Sequence, residues 1–157
     1  MVTFGQALKL CLKSKLFNFS DRAPRSEFWW FMLGGWLIGL LLTVLNVIPL
    51  LGQIIYLIGN IWILIASLSV SVRRMHDLNK SGWWLLFPYV AFITGLIVLA
   101  VGLALTSNMP IIAGWIILGL GGISLLVFWI MMIMPGTVGI NRFGPDPLAQ
   151  KPVLNQA

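Results

Sequence analysis

Residues 28–72 read FWWFMLGGWLIGLLLTVLNVIPLLGQIIYLIGNIWILIASLSVSV, 45 consecutive positions without a charged side chain. A helix that crosses a bilayer needs ~20 apolar residues, so the stretch holds two spans and the turn between them. Pro49-Leu50-Leu51-Gly52-Gln53 interrupts the apolar run with turn-forming residues, which predicts spans over 28–48 and 54–72. A second uncharged stretch, residues 81–141, is 61 positions long. It predicts spans over 83–105, with Pro88 as an internal kink, and 111–134. Thr106-Ser107-Asn108-Met109-Pro110 forms the turn between them.

The ten Lys and Arg and the four Asp and Glu fall into three short segments outside these stretches. A soluble domain carries ~25% charged residues over its whole surface, against 9% here, and the mean hydropathy is +0.98. The medium around most of this chain is therefore hydrocarbon. The formal charge of +6 does not indicate nucleic acid, because the cations lie beside spans, where anionic lipid head groups are the nearest partners. Cys11 is alone, so there is neither a disulfide framework nor a thiolate metal cage. No cofactor motif is present. Lys9, Lys13 and Lys15 interrupt any signal-peptide core, so no cleavage is expected and the first span serves for targeting.

Orientation follows from the partition of cations. Five Lys and Arg precede span one, three separate spans two and three, and two follow span four; the other two turns hold none. The positive-inside rule then places both termini and the central loop in the cytoplasm of a bacterial inner membrane. Short turns force sequential helices to pair in antiparallel fashion. The expected fold is all-α, with four transmembrane helices in two antiparallel hairpins. The chain divides into a basic N-terminal segment (1–27), a membrane domain (28–134) and an irregular Gly- and Pro-rich cytoplasmic tail (135–157). Phe4 to Leu12 carries apolar residues at 4, 7, 8, 11 and 12, the spacing of a short interfacial helix. It serves either as a surface anchor or as a segment packed on the bundle. Lys15 returns to its apolar face and ends the stripe.

Three polar clusters abut span ends on the predicted cytoplasmic side. They are Arg22, Arg25 and Glu27; Arg73, Arg74, His76 and Asp77; and the tail, with Asn141 and Arg142. Two acids among five arginines should pair with them, because a lone charge is costly at a partly dry interface. Either these charges pin the bundle end together, or the surplus arginines hold an anion such as a lipid phosphate. On the second reading, Arg22→Gln should mainly weaken lipid retention. His76 beside Asp77 suggests a proton relay, but adjacent helical residues do not face each other and no nucleophile is placed for it. The uncharged stretches hold polar groups such as Asn60, Ser67, Ser69 and Ser124, available for bonds between helices.

The stretches Arg22-Ala23-Pro24-Arg25-Ser26-Glu27-Phe28, Arg74-Met75-His76-Asp77 with Ser81-Gly82-Trp83, and Gly139-Ile140-Asn141-Arg142-Phe143-Gly144-Pro145-Asp146-Pro147 together resemble a bacterial inner-membrane family, domain of unknown function 805. The resemblance spans about residues 15 to 147. Phe143 stands where the family often shows Tyr, and Pro24 where a small residue is commoner. The resemblance implies a polar signature on the cytoplasmic face and carries no assigned activity. A non-enzymatic inner-membrane protein whose cluster binds anionic lipid or a protein partner is the expected function. A small oligomeric channel or transporter, and a membrane-embedded enzyme acting on lipids, are the alternatives.

Overall fold

Every long apolar run becomes a helix, since a backbone in hydrocarbon must satisfy its own hydrogen bonds. A computed structural model describes residues 1–149; the remainder of the expected tail, 150–157, lies outside the described residues. The helices are α1 (Phe4–Lys9), α2 (Arg25–Leu45), α3 (Leu51–Asp77), α4 (Leu86–Ala104) and α5 (Asn108–Ile133). A π-helical turn, Leu10–Ser14, continues α1, and a 3-10 turn, Gly82–Leu85, leads into α4. The segments Arg25–Leu45, Leu51–Asp77, Gly82–Ala104 and Asn108–Ile133 are long and apolar enough to cross a membrane. The protein is an all-α integral membrane protein.

The chain forms two compact units, Met1–Asn79 with the tail from Pro135, and Lys80–Met134. In the first, α2 and α3 run antiparallel, with Gly35 against Ile63 and Gly59 against Leu42. The intervening turn places Leu50 at φ 62. In the second, α4 and α5 also run antiparallel. A Cβ on Gly95, Gly102, Gly114 or Gly121 would lie less than 3 Å from the facing backbone, so these glycines let the two helices touch. One turn on from Gly35, a Cβ on Gly39 would meet nothing within 4 Å.

Pro88 falls in the first turn of α4, where a missing N–H costs little. The 3-10 turn Gly82–Leu85 directly precedes this helix within the apolar segment Gly82–Ala104. Several intramembrane polar groups also differ from expectation. Asn60 donates to the carbonyl of Tyr56, Ser67 to Ile63 and Ser124 to Gly121. They satisfy themselves on their own helices, the usual resort of such side chains where no partner is offered. Ser69 alone of this set reaches another element, donating to the carbonyls of Lys15 and Asn18 at 2.8 and 2.7 Å.

The N-terminal segment packs on the first hairpin. Ala7, Cys11 and Leu16 are buried, Leu8 lies against Gly34, and the Trp62 indole donates to the Leu12 carbonyl at 3.1 Å. The π turn closes with the Lys15 amide donating to the Leu10 carbonyl at 2.7 Å. An underwound turn shifts the register of the residues after it, so Lys15 leaves the apolar stripe. Its ammonium instead meets Asp21 at 3.0 Å.

Candidate functional site

α3 has 27 residues, which at ~1.5 Å per residue gives ~40 Å, longer than the ~30 Å of bilayer hydrocarbon. The extra length carries Arg73 to Asp77 as helix, where an irregular loop was expected. α2 likewise begins at Arg25 rather than Phe28, with Pro24 just before its first turn. Glu27 thus sits in the first turn of α2, and Arg74 and His76 in the last turn of α3, with Arg73 just before it. Glu27 and Arg74 are placed favourably, the acid at the positive end of one helix and the cation at the negative end of the other, whereas Arg25 and Asp77 sit at the opposite ends and gain nothing from the helix dipole.

The last four carbonyls of a helix lack helical partners. Those of α3 are satisfied from three segments. Leu78 N–H donates to the Arg74 and Met75 carbonyls, and Asn79 N–H to that of His76. Asn79 adopts φ 57, the left-handed cap that Asn tolerates. The Asp77 carbonyl accepts from the Thr137 amide at 2.8 Å and from the Thr137 hydroxyl at 3.0 Å. The Asn141 side-chain Nδ2 donates to the His76 carbonyl at 3.0 Å, and one turn earlier the Ala23 backbone amide donates to the Arg73 carbonyl at 3.0 Å. The tail and the segment before α2 are fixed to the same helix end.

Two buried ionic groups lie beneath this cap. In one, Arg22 Nε and Nη2 lie 3.0 and 2.9 Å from Asp77 Oδ1. Arg22 Nη1 donates to the Gly139 and Gly144 carbonyls at 2.7 and 3.3 Å, and Nη2 to that of Thr137. Arg74 pairs with the second Asp77 oxygen. In the other group Arg73 pairs with Glu27. Arg73 Nη2 also lies 3.6 Å from Cys11 Sγ, whose thiol points at Glu27 at 3.7 Å. Arg22, Glu27, Arg73, Arg74 and Asp77 are all less than 5% exposed. Burial, and then the Glu27 charge, push the Cys11 thiol up to about 11. Arg73 Nε is the one buried side-chain nitrogen or oxygen among the described residues without a hydrogen-bond partner.

The tail keeps its own shape around these contacts. Asn141 and Gly144 exchange backbone hydrogen bonds, and Asn141 Oδ1 accepts from the Phe143 amide at 2.9 Å. Asp146 accepts from the amides of Gly139 and Leu148 at 3.1 and 2.8 Å, which holds its carboxyl below the usual range. Gly136 passes so close to Asp77 that a Cβ would collide with the carboxylate. Gly144, at φ 127, turns its carbonyl to Arg22. Phe143 stacks on His76, ring centroids 3.9 Å apart and planes 4° from parallel. The Arg142 guanidinium lies over the Phe143 ring, 4.7 Å from its centroid, and donates to the Asn79 carbonyl.

Of the residues singled out by sequence, Arg22, Glu27, Arg73, Arg74, His76, Asp77, Asn141 and Arg142 therefore meet at one end of the first unit. Arg25 stands exposed at the first residue of α2. Arg22, which the second reading made a lipid-holding residue, is buried and saturated. His76 and Asp77 diverge: His76 Nδ1 faces the Asp21 carbonyl at 3.2 Å, away from the Asp77 carboxylate. They do not form a dyad. Sequence reading missed Cys11, Thr137 and Gly136. The short Gly-rich interval before Asn141 was the available sign of a backbone that closes on a side chain.

A family model described as protein of unknown function (DUF805) matches residues 16–145. The chain belongs to this family. The polar segments on which the resemblance rests are those that meet around the end of α3. The chain is 31% identical over 135 residues to the inner membrane protein YhaI of Escherichia coli (strain K12), covering 83% of this chain and 86% of that one. The match to inner membrane protein YhaH of the same strain is also 31% over 135 residues, covering 83% and 87%. The uncharacterized protein YiiR of that strain is 26% identical over 146 residues, covering 87% and 90%. No solved structure matches.

Proposed function

We propose that the protein is a non-catalytic inner-membrane module whose charged end lies at the cytoplasmic surface and engages anionic lipid head groups. The carrying observation is that Arg22, Arg73 and Arg74 are sealed in ion pairs, whereas Arg25 and Arg142 are exposed around them. The clasp holds the segments together, and the rim presents positive charge. Each such cation near an anionic surface contributes ~1 kcal/mol. The acids near the rim are engaged internally, Asp21 by Lys15 and Asn18, Asp146 by backbone amides. The restriction of Lys and Arg to three segments supports the cytoplasmic orientation of this end.

Two measurements test the reading. Arg25→Gln/Arg142→Gln should lower co-purification of phosphatidylglycerol by about thirtyfold at unchanged thermal stability. Equal retention by wild type and variant would refute the rim, and capture of a protein partner through these arginines would replace lipid as the ligand. Phosphatase fusions at Leu51 and Ser107 should be active and one at the C-terminus silent. An active C-terminal fusion reverses the orientation.

A further inference from the structure

Two apolar grooves flank the N-terminal helix of the first unit, and both abut Ser14. One, about 460 Å³, is walled by Leu12, Leu16, Phe17 and Trp62 with Lys13 on its rim. The other, about 380 Å³, is walled by Met1, Val2 and Leu10 with Lys9 on its rim. Both fall within the ~300–1,000 Å³ typical of small-molecule sites. Lys9 and Lys13 are four positions apart, so they share a face, and both are exposed. Neither ammonium makes a hydrogen bond or ion pair among the described residues, in contrast to that of Lys15 on Asp21. Residues 1–20 contain no Asp or Glu.

We propose that this helix carries an anionic glycerophospholipid, its phosphate between Lys9 and Lys13 and one acyl chain in each groove. A ligand here must be negative at the lysines and apolar on both sides, and must reach a surface that lies against two membrane helices. A diacyl phospholipid meets all three demands, whereas a soluble phosphate meets only the first. The π-helical turn builds the straddle, because it supplies Leu10 and Ser14 to one groove and Leu12, Lys13 and Ser14 to the other. π turns within helices recur at functional sites. The site is separate from the arginine rim of the proposed function and stands or falls independently of it.

The test is native mass spectrometry of the full-length protein with dioleoylphosphatidylglycerol and dioleoylphosphatidylcholine. Wild type should retain the anionic lipid preferentially. Lys9→Gln/Lys13→Gln should lower that retention about thirtyfold, the effect of two cations of ordinary membrane-surface strength. Lys9→Arg/Lys13→Arg should keep it. Ser14→Trp, which fills the junction of the grooves without touching the charges, should also reduce it, and the loss caused by Lys9→Gln/Lys13→Gln should be as large in an Arg25→Gln/Arg142→Gln background as in wild type. Loss confined to the arginine variant overturns the proposal while leaving the rim reading in place. Displacement by inorganic phosphate together with indifference to Ser14→Trp also overturns it, because the lysines would then bind a bare anion.

Discussion

Arg22 Nη2 lies 2.9 Å from Asp77 Oδ1 across 55 residues of sequence, with 1% and 4% of the two side chains exposed. This pair joins the segment before α2 to the end of α3, and the same guanidinium holds three tail carbonyls. Removing one partner of a buried pair leaves the other uncompensated, at a cost of about 3–5 kcal/mol. Arg22→Gln and Asp77→Asn should therefore each lower the unfolding temperature in detergent strongly. Arg22→Lys should lie between, since an ammonium cannot reproduce the fork. An Arg22→Gln protein as stable as wild type would show that the pair contributes nothing.

Glu27 and Arg73 form a second contact between α2 and α3. Their coupling is measurable in a double-mutant cycle of Glu27→Gln, Arg73→Gln and the double variant. Either single change strands a buried group. The double should cost less than the sum of the singles by at least ~1 kcal/mol, as for groups in one network. Strict additivity would mean that the two side chains act separately.

Cys11 adds a pH dependence to this group. Its thiol titrates at about 11 when folded, against an ordinary 9.0. The unfolded chain then loses its proton first, so the stability from this group is fully present below pH ~9 and is lost as pH rises through the folded value. Cys11→Ala should remove that component of the alkaline loss. Iodoacetamide at pH 8 should label Cys11 only after denaturation, because the thiolate is the reactive form. Rapid labelling of the native protein would contradict the burial.

The hydrocarbon-facing part of the fold was legible because an uncharged run of 45 residues in a bilayer admits few structures but helices. The pairing of acids with arginines was legible for a similar reason, since few charges had to share one interface. Partner identity was not. Arg73 and Arg74 are adjacent, yet consecutive helical residues point in different directions, one to Glu27 and the other to Asp77. The burial of Arg22 was also hidden, because its acceptors are mostly backbone carbonyls of the tail, which carry no side-chain signature. The register of Lys15 depended on a π turn that a 3.6-residue period cannot anticipate.

The tail supplies the last prediction. Gly136 passes over the Asp77 carboxylate with no room for a methyl group, and Thr137, next in sequence, caps the Asp77 carbonyl. Gly136→Ala must push the tail away from α3 or displace a carboxylate held by two arginines. Forced overpacking of this kind costs about 1–3 kcal/mol. Asn141→Ala removes only the bonds to the His76 carbonyl and the Thr137 hydroxyl, so its effect should be smaller. Hydrogen exchange separates these local losses from global ones. Both variants should raise exchange at the Thr137 and Gly144 amides while α2 and α3 keep their protection. Protection of the Thr137 amide unchanged in Gly136→Ala would mean that the tail is not held on the end of α3 by this contact.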